Sequence, residues 1–163
     1  VITSVTNVVT TFVAILFIDR IGRKPLLLIG SVVMALSLGS MSWVFAGAAV
    51  VNGSPQLVGM AAVVALLAAN LFVFAFGFSW GPVMWVMLGE MFPNQIRGSG
   101  LAVSGLVQWI TNFAITLSFP MLLAGIGLAG AYGLYAFCAL VSVIYVIRVV
   151  NETRGKELED MQG

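Results

Sequence analysis

The sequence predicts an all-α integral membrane protein of five transmembrane helices, and three observations carry that expectation. The chain is 61% hydrophobic and 8% charged over 163 residues, more apolar surface than a soluble domain of that size can hide, so lipid has to act as its solvent. Apolar runs cover roughly 1–18, 25–47, 57–89, 98–124 and 131–150, most of them near or above the ~20 residues needed to cross hydrocarbon. All thirteen charged residues, seven basic plus six acidic, lie at or beyond the ends of these runs. An Arg or Asp at mid-membrane costs about 2.5–3.5 kcal/mol on insertion, which explains the exclusion.

The first run carries Thr3, Asn7, Thr10 and Thr11, spaced to fall on one helix face. Its opening residues, VITSVTNVV, have neither a basic leader nor an initiator Met, so a continuation upstream is expected. Arg20, Arg23 and Lys24 follow it. The second run contains scattered Ser and Gly and no amide stripe. It ends in an uncharged loop, AGAAVVNGSPQ, in which Asn52-Gly53-Ser54 has the form of a glycosylation acceptor whose use Pro55 and the shortness of the loop disfavour. Arg97 follows the third run, GIGLAG separates the fourth and fifth, and Arg148, Arg154 and Lys156 close the fifth. Alternate loops are therefore basic, which puts residues 151–163 in the cytoplasm.

The third run is too long for one span and contains Gly77, Gly81 and Pro82. Proline has no N–H, so the carbonyl of Phe78 loses its helical partner and a bend is expected there. A break at membrane depth is tolerated where it is buried or lines a cavity, and interrupted helices mark sites or hinges in transporters. Gly77, Gly81 and Pro82 are the expected hinge. Trp85, one turn on, offers a flat apolar face and one donor. In the fourth run Ser104, Gln108, Thr111, Asn112 and Thr116 share a face. A single Thr at such a position serves equally well as helix glue. Asn7, Gln108 and Asn112 together exceed what packing needs. The first, third and fourth helices are expected to line an aqueous cavity, with the second and fifth supporting them from the lipid side.

That cavity is uncharged: amides, hydroxyls and an indole. It suits a neutral polyhydroxylated ligand, bound at roughly millimolar to micromolar strength because each neutral hydrogen bond gains only ~0.5–1.5 kcal/mol over water. Nucleic acid is not an expected partner at a net charge of +1. With no His and one Cys, Cys138, neither a metal centre, a cofactor nor a catalytic relay is expected, and the chain does not read as an enzyme.

Three motifs resemble the sugar porter family of the major facilitator superfamily, which includes bacterial xylose and glucose transporters and facilitative glucose transporters. Asp19-Arg20-Ile21-Gly22-Arg23-Lys24 resembles the family's D-R-x-G-R-R/K loop. Gly81-Pro82-Val83-Met84-Trp85, with Glu90, Phe92-Pro93 and Arg97, resembles G-P-x-x-W…E-x-F-P-x-x-x-R. Asn151-Glu152-Thr153-Arg154-Gly155-Lys156 resembles P-E-T-K-G, with Asn151 in place of Pro. The resemblance implies helices eight to twelve of a twelve-helix fold, that is, a partial C-terminal six-helix bundle. It implies sugar contacts at Asn7, Gly81, Trp85, Gln108, Trp109 and Asn112. It further implies a cytoplasmic charge network of Asp19, Arg23, Lys24, Glu90, Arg97 and Glu152 that latches the outward-open state. The expected activity is alternating-access transport of a hexose or pentose at the cell membrane, by proton symport or facilitated diffusion, within a full-length carrier. No ionisable side chain lies inside the five runs, so any proton carrier is expected in the N-terminal half. A non-transporting sugar sensor is the alternative, disfavoured by the short tail.

Overall fold

The computed structural model describes residue 10, residues 21–51 and residues 54–150. Helix α1 runs Arg23–Ala46, α2 Met60–Phe78, α3 Trp80–Met91 and α4 Arg97–Arg148. Three stretches, Arg23–Ala46, Met60–Met91 and Arg97–Arg148, are long and apolar enough to cross a membrane. The uncharged loop after α1 holds a small ribbon in addition to the helices. Strands β1 (Ala49–Val51) and β2 (Ser54–Gln56) pair antiparallel, with Ala49 opposite Gln56 and Val51 opposite Ser54.

Helix α4 covers the fourth and fifth predicted runs with one interruption, Gly127, at φ 71° and ψ 177°. A side chain is strained at that φ, and glycine is not. Across Gly127 the two arms, 97–126 and 128–148, fold back on each other. Phe119 stacks on Tyr135 with ring centroids 6.4 Å apart. The second arm also runs antiparallel to α1. Ser42 Oγ donates to the Ala129 carbonyl at 2.8 Å at one end, and Lys24 Nζ donates to the Ile147 carbonyl at 3.1 Å at the other. Phe45 stacks on Tyr132 near the first of these contacts.

The packing departs from the expected division of labour. Helix α1, read as a lipid-side support, is the most enclosed of the described helices. It buries Leu27, Gly30, Ser31, Met34, Leu38 and Met41, residues recurring every three or four positions and so forming one inward stripe. Small residues at 30 and 31 let the neighbouring backbone approach, which is how apolar helices gain contact in lipid. A core of Leu26, Leu27, Val83, Met87 and Val146 joins the start of α1, the middle of α3 and the end of α4.

Candidate functional site: a broken helix beside an uncharged cavity

The third run divides at Ser79, whose φ of −114° and ψ of −92° leave the helix between Phe78 and Trp80. Pro82 supplies the cause, since it cannot donate back to the Phe78 carbonyl. The local bonds reorganise around the gap. Ser79 donates twice to the Ala75 carbonyl, from N at 3.2 Å and from Oγ at 2.6 Å, and the Ser79 carbonyl accepts from Val83 N at 2.9 Å. Ser79 and Ala75 are fully buried, and Gly30 of α1 lies against them. Next to this contact Trp80 Nε1 donates to the buried Ser31 Oγ at 2.7 Å. The break therefore lies within protein rather than in lipid, as unpaired backbone at membrane depth requires.

Beyond the break, α3 carries Gly81 and Trp85 on one face. A methyl at Gly81 would sit 3.3 Å from the Phe76 carbonyl. The Trp85 indole reaches Gly105 on the first arm of α4, 3.6 Å from where a Cβ would stand. Residues 105, 108, 109 and 112 lie within an arc of about 100° on that arm, so Trp85 meets the face that bears Gln108 and Asn112.

Two cavities adjoin this face. One, of about 530 Å³, is lined by Trp80, Met84, Ser104, Gln108, Thr111 and Asn112 among others. Its Gln108 Oε1 is buried and has no hydrogen-bond partner among the described residues. The other, of about 700 Å³, is more apolar. It includes Met34, Phe72, Trp80, Asn112, Tyr132 and Cys138. The fifth predicted helix and α1 thus wall a cavity, contrary to the supporting role expected of them. The hydroxyls of the first arm are less available than expected: Thr111 Oγ1 donates to the Val107 carbonyl and Thr116 Oγ1 to the Asn112 carbonyl, both at 2.8 Å. Each thereby uses its one proton within its own helix.

At the other end of α3, Arg23 Nη2 and Glu90 Oε1 form an ion pair at 2.7 Å, with side chains 13% and 27% exposed. The pair joins the start of α1 to the end of α3. Arg97 Nε donates to the Phe92 carbonyl at 3.3 Å, bracing the turn between α3 and α4. Glu90→Gln removes one carboxylate from the partly enclosed Arg23. We expect a loss of about 1–2 kcal/mol, between exposed and buried pairs. Thermal unfolding of the purified full-length protein checks this, and the swap Arg23→Glu with Glu90→Arg is expected to regain part of the loss.

Comparison with known proteins identifies the family. The sequence model of the family described as “Sugar (and other) transporter” matches residues 1–163. The chain belongs to the sugar transporter family of the major facilitator superfamily. It is 56% identical over 161 residues to a glucose transport protein of Synechocystis, covering 99% of this chain and 34% of that protein. It is 36% identical over 169 residues to the D-xylose-proton symporter of Escherichia coli, covering 100% of this chain and 32% of that one. Among solved structures, the inward-open xylose transporter XylE from E. coli is similar with a TM-score of 0.85 at 37% identity, covering 99% of this chain and 34% of its own. The chain thus spans about a third of the length of the curated relatives it matches.

For this sugar-transporter chain, the structure brings Gly81, Trp85, Gln108 and Asn112 to adjoining faces. Gly81, Trp85 and Trp109 line neither of the two cavities, and Trp109 is 70% exposed. Gly77 and Gly81 flank the break at Ser79, and Pro82 follows it. In the charge network, Arg23 meets Glu90, whereas Lys24 and Arg97 bond backbone carbonyls. Asn7, Asp19 and Glu152 lie outside the described residues. Sequence reasoning missed Gly30, Ser31, Ser79 and Trp80. The available signal was the small-residue pair at 30–31, which reads as ordinary helix packing until the break is seen against it.

Proposed function

We propose that this chain works within a full-length carrier that moves a neutral monosaccharide, a hexose or pentose, across the cell membrane by alternating access. The observation that carries this reading is the uncharged cavity lined by Trp80, Ser104, Gln108 and Asn112, in which Gln108 Oε1 has no hydrogen-bond partner among the described residues. Sugar hydroxyls supply donors to that oxygen, and sugar C–H faces suit indole surfaces such as Trp85. The relatives that transport glucose and xylose support the same class of substrate.

In this reading Gly77, Gly81 and Pro82 form the hinge. Asn7, Gly81, Trp85, Gln108, Trp109 and Asn112 form the chain's share of the sugar site. Asp19, Arg23, Lys24, Glu90, Arg97 and Glu152 form a cytoplasmic latch that opens as the protein turns inward, with the C-terminal tail in the cytoplasm. A latch between states of similar energy needs only modest pairs. Protons, where coupled, are carried outside the five apolar runs.

The test is counterflow of labelled glucose and xylose in liposomes containing the full-length protein. Saturable uptake is expected, half-maximal in the micromolar to millimolar range (roughly −8 to −4 kcal/mol). An inside-alkaline pH gradient accelerates it if protons accompany the sugar inward. Flux no greater than in empty liposomes, for every monosaccharide tried, refutes the reading.

A further inference from the structure

Trp80 lies between the two cavities and contributes to the walls of both. Its only donor, Nε1–H, is taken by Ser31 Oγ at 2.7 Å, so the ring is held by α1 and turns apolar surface to the cavities. Trp80 is also the first residue of α3, directly after the break at Ser79. At that point the backbone leaves helical φ/ψ, although the bonds from Ser79 N to the Ala75 carbonyl and from Val83 N to the Ser79 carbonyl meet there. The tether to α1 joins the packing of Val83 and Met87 in setting the rotation of α3. With side chains extending roughly 5–6 Å from a helix axis, a swivel of 20° displaces the Trp85 ring by about 2 Å. That is enough to separate it from Gly105 and the Gln108 face.

We propose that Ser31 and Trp80 are a positioning pair that fixes the rotational setting of α3, and so the bearing of Gly81 and Trp85 toward Gln108 and Asn112. This rests on the transport reading above. Ser31, fully buried on α1, acts through Trp80, and Trp80 acts through the helix it opens. Removing the Ser31 hydroxyl strands a buried N–H, which the ring relieves by turning away. Removing the indole N–H, or both groups, cuts the same tether, so the losses do not add.

The experiment measures sugar uptake kinetics of the full-length protein with Ser31→Ala, Trp80→Phe and the two together. Ser31→Ala is expected to raise the half-saturating sugar concentration about five- to tenfold. Trp80→Phe raises it by a similar factor, and the double variant is no worse than either single. A purely structural role predicts otherwise: lower expression and thermal stability with unchanged half-saturation, and a double variant worse than either single. That pattern, or a Ser31→Ala protein with normal kinetics, overturns the inference while wild-type uptake leaves the transport reading standing. Absence of saturable uptake by the wild-type protein overturns both.

Discussion

Trp85→Ala and Gln108→Ala, introduced separately into the full-length protein, are each expected to reduce monosaccharide uptake at least about tenfold, a loss of about 1.4 kcal/mol or more. The two act by different routes. Trp85 contributes the flat surface that meets Gly105 across the helix pair, and its truncation removes a platform while leaving the polar groups in place. Gln108 contributes a buried side-chain oxygen with no hydrogen-bond partner among the described residues, and in the proposed site its truncation removes an acceptor for one sugar hydroxyl. Deoxy-sugar analogues separate the two routes. Gln108→Ala should flatten the preference between a sugar and the deoxy analogue lacking the hydroxyl that Gln108 reads. Trp85→Ala should weaken both sugars alike. Wild-type uptake in either variant, at wild-type abundance in the membrane, removes that residue from the site.

Gly30→Val is expected to cause the largest loss of stability. Any Cβ at position 30 falls within the space of the Ser79 side chain, and it lies 3.3 Å from the Ala75 carbonyl. Ser79 is fully buried and its hydroxyl is committed to that carbonyl, so it has nowhere to retreat. Overpacking of this kind costs roughly 1–3 kcal/mol, and here it also forces apart the two helices that enclose the break. A fall in thermal stability of several degrees is expected in purified protein, with Ser79→Gly restoring a substantial part of it by opening the space. Unchanged stability of Gly30→Val would show that α1 and the break are not in the contact described.

The helices and the bend were largely legible in the sequence because each has a one-dimensional cause. A long apolar run spans lipid whatever its neighbours do, and Pro82 deprives Phe78 of a donor wherever the helix lies. The polar face from Ser104 to Asn112 was legible for the same reason, since it follows from helical spacing alone. What escaped notice depends on two segments meeting. Gly30 and Ser31 are unremarkable on α1 until Ser79 and Trp80 arrive opposite them. The reversal between the arms of α4 falls on one of the several glycines of GIGLAG, and composition does not say which of them takes the positive φ. The hydroxyls were misjudged in a third way. Spacing placed Thr111 and Thr116 on a useful face, but not whether their protons would turn back to carbonyls of the same helix. The ribbon between α1 and α2 did have a signal, Asn52-Gly53 beside Val50 and Val51, a common hairpin sequence that was read only as an uncharged loop.

Both ends of α3 are secured to the same neighbour. Near its start Gly30 and Ser31 receive Ser79 and Trp80; near its finish Arg23 holds Glu90. A rod pinned at two points on one wall can neither turn about its length nor swing outward. Unfastening the ionic end leaves a pendulum hung from α1 by its upper joint, with Trp85 part-way down the arm.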